Sequence, residues 1–307
     1  MSLKEVKGKI RAIKKIHQVT KAMEAVSAVK MRRSQHAAIE GRPFALHAMG
    51  VFRRLAQQGV LRKHPLAIHR KHEKNVLFVV ITSDRGLAGA LNTYVLKAVH
   101  ARIQERGLSR DQVHIIAIGK KGYEHFARRN FHVVDAYEHW GDGVAIGDPL
   151  DLGTHIIQAY LDGVYDRVVL AYSNFESTFV QEPVTRRLLP VSLPALEEVM
   201  GGIVPVRGKY SDVRDLVKEE HVAEYSFEPD PGTVLKELLP YLVGVVLYHA
   251  ALEANASEHS ARMVAMKSAS DRARDLTRDL TLEFNKARQG DITGEVSEIT
   301  SGIEAMR

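Results

Sequence analysis

Hydrophobic residues recur with one period at both ends of the chain and with another in its middle. At the start, Leu3, Val6, Ile10, Ile13, Ile16, Val19, Met23 and Val26 come every three or four residues with Lys and Arg between them, which is the spacing of one helix face. Ala37, Phe44, Ala48, Phe52 and Leu55 keep a stripe going, so residues 2 to about 57 read as one helix. Pro43 removes a backbone hydrogen bond inside that run and is expected to bend it. At about 1.5 Å per residue the helix reaches roughly 80 Å, a length that needs a partner helix.

From Val76 the period changes. Val76–Ile81 is a continuous apolar run, Val113–Ile118 is a second buried run, Phe131–Tyr137 a third, and Arg167–Tyr172 follows the next helical pattern. Such runs fit strands buried on both faces of a parallel sheet. Helical patterns lie between them at about 90–106, 121–129 and 150–161, so strand and helix alternate as in an α/β layered sheet. Phe179–Val191 reads as an extra edge strand or hairpin, and residues 195–230, with Gly201-Gly202, read as a mobile linker.

The last section is helical again. Asp230 suits a cap and Pro231 a first turn, with Pro240 either a kink or the true start. Leu242, Val246, Met263, Met266, Leu276, Leu280, Phe284, Ile292, Val296, Ile299 and Ile303 continue in threes and fours. The 66 residues from Tyr241 to Met306 reach about 100 Å if unbroken. The fold class expected is α/β with long helices, in which a central Rossmann-like α/β domain is flanked by two long terminal helices forming an antiparallel coiled coil. Its parts are an N-terminal coiled-coil helix at 1–58, the α/β domain at 75–195 and a C-terminal coiled-coil helix at 231–307, with linkers at 58–74 and 196–230. The irregular apolar repeat predicts a loose, strongly curved pair.

Composition narrows the chemistry. The 307 residues include no Cys, which excludes disulfides, thiolate zinc sites and cysteine nucleophiles. No apolar run approaches the ~18–20 residues of a membrane span, and the first residues lack a signal core, so the chain reads as soluble, intracellular and not membrane-spanning. The net charge of +6 hides an asymmetry: residues 1–74 hold 18 Lys+Arg against Glu5, Glu24, Glu40 and Glu73, while the remainder is net acidic. Such a basic segment suits an acidic partner, or is simply a solvated helix.

No catalytic motif stands out. The loop Ser83-Asp-Arg-Gly-Leu-Ala-Gly-Ala-Leu-Asn92 follows the first strand, where nucleotide folds bind phosphate. It lacks G-x-G-x-x-G spacing and a following Lys-Ser/Thr, so a structural turn is the favoured reading, as it is for Gly119-Lys-Lys-Gly122. His64, His69 and His72 sit in a linker without paired carboxylates, and neither His-Glu-x-x-His nor G-x-S-x-G occurs, so neither a metal site nor a hydrolase site is expected. Met23, Met31, Met263 and Met266 read as coiled-coil core. The basic N-terminal helix imitates a bZIP arm, but a bZIP zipper follows its basic region directly.

Three segments together are more specific. Leu3-Lys-Glu-Val-Lys-Gly-Lys-Ile10, Gln18–Val26 and Val29-Lys-Met-Arg-Arg33 resemble the opening of the gamma subunit of F-type ATP synthases, and Ser83–Asn92 resembles that family's central signature. Ser257–Lys267, Phe284–Gln289 and Ile292-Thr-Gly-Glu295 are similar to its C-terminal signature. The matches occur in family order over nearly the whole chain. Gly41, Pro43, Asp291-Ile-Thr-Gly294 and the His-rich linker are departures that leave the signatures untouched.

The resemblance implies a non-catalytic central rotor shaft of the F1 sector, which couples ion-driven turning of the membrane ring of c subunits to the binding states of the beta subunits. The implied partners are an alpha–beta hexamer, the epsilon subunit and the c-ring, with one copy of the chain per complex. The implied location is the cytoplasmic face of a bacterial plasma membrane, peripheral to it. No cofactor, metal or catalytic residue is implied, and no nucleic acid. The residues it singles out as coupling contacts are Lys21, Met23, Arg262, Arg288, Gln289, Thr293 and Glu295, with Arg288 and Gln289 donating to a beta-subunit loop. The thiol switch of the chloroplast version has no Cys with which to operate. The alternatives are a small nucleotide-dependent α/β enzyme and a basic coiled-coil nucleic-acid-binding protein.

Overall fold

The three inner strands of the central sheet are covered on both faces, and this is why they read as apolar runs, whereas the run at 131–137, expected to be buried like them, forms an outer strand with mostly exposed side chains. The computed structural model describes residues 3–70, 73–194 and 226–306; the region 195–225, expected to be a mobile linker, and His72 lie outside them. The chain divides into two compact units, residues 1–27 with 262–307, and residues 28–261. Its elements are α1 (Leu3–Gln57), β1 (Val76–Ile81), α2 (Leu91–Glu105), β2 (Val113–Ile118), α3 (Lys120–Ala127), β3 (His132–Tyr137), α4 (Gly147–Leu161), β4 (Arg167–Phe175), β5 (Gln181–Leu189) and α5 (Pro231–Ala305). The linker after α1 holds two short 3-10 turns, Val60–Lys63 and Pro65–Ala67.

Within residues 28–261 the sheet order is β3-β2-β1-β4-β5. The first four strands are parallel, and β5 returns antiparallel along β4 as the edge strand. Alternation along each strand sorts the side chains. Val76, Phe78, Val80, Ile115 and Val169 face α2 and α3, burying Val95, Val99 and Phe126. Leu77, Val79, Ile81, Leu170 and Tyr172 face the other way, onto Phe52 and Leu55 of α1, Ile156 and Tyr160 of α4, and Leu242, Val246 and Ala250 of α5. Residues 75–195 therefore do not close their own core; the inner parts of both long helices complete it.

α5 starts at Pro231, and Pro240 lies within it as Pro43 lies within α1. The Asp230 carboxylate caps this start, accepting from the Gly232 and Thr233 N–H groups at 2.8 and 3.0 Å. α5 also corrects one expectation: it contains an 18-residue stretch of mean hydropathy 1.3, long and apolar enough to cross a membrane, 61% of it buried inside the protein. Small residues let it pack closely. A Cβ on Gly244 would stand 3.0 Å from Leu150 Cα and 2.5 Å from its Cδ2, so glycine is required where α4 and α5 touch.

The second unit pairs residues 3–27 of α1 with 262–306 of α5. Buried or half-buried residues at seam spacing are, on α1, Leu3, Val6, Ile10, Ile13, His17, Thr20, Glu24 and Ser27, and on α5 Met263, Met266, Ser270, Ala273, Thr277, Leu280, Phe284 and Ala287. These positions follow the three-and-four spacing of a heptad seam, with half-buried Met23 and buried Arg262 beside it. Ile16, Val19 and Val26, 53%, 58% and 55% exposed, belong to a second stripe turned away from the seam, while His17, Thr20 and Ser27 occupy it. His17 Nδ1 lies 3.0 Å from the Ser270 carbonyl oxygen and 2.9 Å from its hydroxyl, fixing the pairing. Seam burial on α5 ends at Ala287, where the N-terminus of α1 runs out, so the two helices run antiparallel.

Candidate functional site

In an open α/β sheet, ligands bind beyond the carboxyl ends of the strands where the strand order reverses, here between β1 and β4. The loop Ser83–Asn92 lies there, and its polar groups are turned inward. Asn92 accepts the Ser83 N–H at 3.0 Å and donates to the Ser83 hydroxyl at 2.7 Å, and that hydroxyl donates to the Arg85 carbonyl at 2.7 Å. The Asp84 carboxylate accepts the N–H of Lys120, first residue of α3, at 3.0 Å, and that of His139 at 2.9 Å. The Asp84 carboxylate is thus engaged in capping the start of α3 and anchoring the turn before Trp140, which makes the loop a structural one. Thr82 accepts the Gly122 N–H at 2.8 Å.

α5 fills the rest of the crevice. Ser257 donates to the Ser173 carbonyl at the end of β4 (3.0 Å), Asn255 to the Trp140 carbonyl (2.7 Å) and Ser260 to the Thr178 carbonyl (2.7 Å). Since a carbonyl only accepts, His259 carries its proton on Nε2, which faces the Gly141 carbonyl at 3.1 Å. A cavity of 10 Å³ remains, lined by Thr82, Ser83, Asn92, Ser173, Asn255 and Glu258. That is room for one water molecule, far less than a nucleotide needs. Among the described residues no group of three or more His, Asp or Glu could hold a metal.

The singled-out rod residues fall at two levels of the paired unit. At the end near residues 20–27, Lys21 is exposed and bonded to Glu24 at 3.1 Å, Met23 is half-buried, and Arg262 is 7% exposed. At the other level, beyond Ala287, α5 continues without α1. Arg288, Gln289, Thr293 and Glu295 are all exposed there, and the Thr293 hydroxyl is turned back onto the Gln289 carbonyl at 2.8 Å. Ile292, Val296, Ile299 and Ile303 form a stripe on this segment, 52% to 64% exposed.

A family model described as ATP synthase matches residues 2–306. The ATP synthase gamma chain of Roseiflexus sp. (strain RS-1) is 41% identical over 306 residues, covering 99% of this chain and 98% of the relative. That of Chloroflexus aurantiacus is 38% identical over 307 residues, covering 99% of each. The chain belongs to the ATP synthase gamma chain family.

Solved structures agree in fold. A chain of the Euglena gracilis mitochondrial ATP synthase (OSCP/F1/c-ring) superposes with a TM-score of 0.63 at 19% identity, covering 99% of this chain and 94% of that one. A chain of the Tetrahymena thermophila central stalk and c-ring gives 0.56 at 23% identity, covering 82% and 99%. The closed crevice suits a gamma chain, which is not itself the catalytic subunit. Sequence reasoning missed what closes it. Asn255, Ser257, Glu258 and His259 look like an ordinary polar face along α5, yet all are buried against the sheet. The signal was the run of Ala and Ser around them, which lets a helix approach closely. The His17–Ser270 contact was also missed, because polar residues at seam positions break the apolar period by which a seam is found.

Proposed function

We propose that this gamma chain is the turning central stalk of a rotary ATP synthase, coupling ion-driven rotation of the c-ring to the conformational cycle of three beta subunits. The full-length match to gamma chains at up to 41% identity carries this reading. The physical properties of the paired unit support it. A heptad seam gives a stiff rod that can transmit torque, and the bare apolar stripe Ile292–Ile303 on its unpaired end needs a sleeve of protein around it. The alpha–beta hexamer is that sleeve, and the epsilon subunit and c-ring hold the sheet domain. The complex lies on the cytoplasmic face of a bacterial plasma membrane. Coupling needs contacts whose free energy differs between rotational positions. Lys21, Met23 and Arg262 at one level, and Arg288, Gln289, Thr293 and Glu295 at the other, supply them.

Co-expression with the alpha and beta subunits of the same organism tests this assembly. The expected product holds one copy of this chain for three betas and hydrolyses ATP, whereas the chain alone aggregates through its exposed stripes. A chain that stays monodisperse alone and is absent from the purified hexamer contradicts the reading. Micromolar binding of ATP by the chain itself would revive the enzyme alternative, and steep salt-dependent DNA binding the nucleic-acid one.

A further inference from the structure

Two pairs of histidines tie one flank of the sheet domain to its centre. His125 of α3 meets His100 of α2, with Nε2 to Nε2 at 2.9 Å. His132 of β3 meets His114 of β2, with Nδ1 to Nδ1 at 2.9 Å, at positions paired in the strand register. The flank they hold is weakly built otherwise. β3 is an outer strand with its side chains mostly exposed, and its register against β2 slips between Ile115 and Ile116. Phe126 is the flank's fully buried large side chain.

The partners decide where the protons sit. Arg129 Nη1 lies 3.1 Å from His125 Nδ1, and a guanidinium only donates, so Nδ1 is unprotonated and Nε2–H donates to His100 Nε2. A second proton on His125 would land beside that guanidinium; one on His100 would set two N–H groups head to head. In the other pair one Nδ1–H is shared between the rings. His114 Nε2 is buried with no hydrogen-bond partner among the described residues, so a charged His114 would bury an N–H without an acceptor. Each ring that takes a second proton therefore loses its partner or gains a like charge. The other charged or titratable groups facing the pairs are Arg110, 5.4 Å over the Phe131 ring that packs on His100, and Tyr165, 5.4 Å from the His114 ring.

We propose that α3 and β3, residues 120–137, form an acid-labile flap that is closed while both histidine pairs are neutral and opens when they take up protons. Burial and the Arg129 charge push His125 down to about 4, and burial also holds His100 and His114 below the ordinary imidazole value. A pKa lower in the closed form than in the open one means that closure is fully supported above about pH 6.5 and weakens as the pH falls toward 4. At the far end of the flap, Thr82 and Asp84 keep their hold on Gly122 and Lys120, so the segment opens from its histidine side.

Amide hydrogen exchange of the assembled complex at pH 7 and pH 5, corrected for intrinsic rates, tests this. Residues 123–137 are expected to open about tenfold more at pH 5, with 76–81, which pair with β2 and β4 and not with the flap, unchanged. His125→Gln with His132→Gln, in which each amide can both donate and accept, keeps the flap closed at pH 7 and weakens the acid response, of which His100 and His114 retain a part. Protection of 123–137 that is the same at pH 5 as at pH 7, or the same acid opening in the double variant, overturns the proposal.

Discussion

Gly119→Ala will prevent the sheet domain from folding at 37 °C. Gly119 has φ +96, a conformation that side chains rarely adopt, and an added Cβ would stand 2.0 Å from the Thr82 carbonyl oxygen and 2.6 Å from its carbon. Both are backbone atoms at the end of the central strand and cannot rotate aside. Relief requires parting β1 from β2 where Thr82 N–H bonds the Ile118 carbonyl at 2.7 Å, and shifting Gly119, whose N–H bonds the Tyr137 carbonyl at the end of β3 at 2.7 Å. Strain alone costs about 1–3 kcal/mol. With the overlap the loss exceeds about 4 kcal/mol, a large part of the ~5–15 kcal/mol that holds a domain. Gly107→Ala is the matched control, since Gly107 has φ +62 but open space around the new methyl, and strain there costs only about 1 kcal/mol. Soluble yield and the urea midpoint of the two variants measure the difference. Equal behaviour of both means that the close packing at Thr82 does not constrain the fold.

Arg288→Ala will slow ATP hydrolysis by the assembled complex about tenfold, and Gln289→Ala severalfold, with the subunit still incorporated. Both side chains stand exposed on the part of α5 that has outrun α1, so neither has a packing role in the rod. A hydrogen bond to a charged group is worth roughly 1.5–3 kcal/mol net and a neutral one about 1. A contact of that size made in only one rotational position changes the barrier by the same amount. It is small beside the surface that holds a stalk inside a hexamer, so assembly survives. Glu298→Ala, on the same exposed segment, is expected to stay within twofold, as surface substitutions usually do. Steady-state turnover and subunit content on a gel give the answer; normal turnover in both variants retires their coupling role.

How much of this was legible beforehand differs between the two units. The inner sheet strands could be read almost residue by residue, because burial on both faces leaves no period to misread: Val76–Ile81 and Val113–Ile118 stand as expected, while the strand at 132–137 was placed correctly but lies at the edge with its side chains mostly exposed. The seam of the rod was legible only in part. Ile16, Val19 and Val26 have the composition of a seam but face outward, and His17 and Ser27 have the composition of a surface but face inward. Periodicity alone cannot distinguish a stripe that meets a helix of the same chain from one awaiting another protein. The glycine loop was readable as a defective phosphate site, but not the reason for it. That lies more than 160 residues downstream, where Asn255 and Glu258 fill the crevice. Local spacing carries no record of which distant helix lands on a loop.

The claim that this gamma chain turns is tested most directly by watching it. A single cysteine placed at exposed Lys120 gives an attachment point that is unique within this chain, whose natural sequence has no Cys, once the other subunits are made free of reactive thiols. With the alpha–beta hexamer fixed to glass and a bead on that cysteine, ATP should drive rotation in one direction in steps of about 120°, as three equivalent beta subunits require. A bead that stays still while the same complexes hydrolyse ATP at full rate would contradict the account.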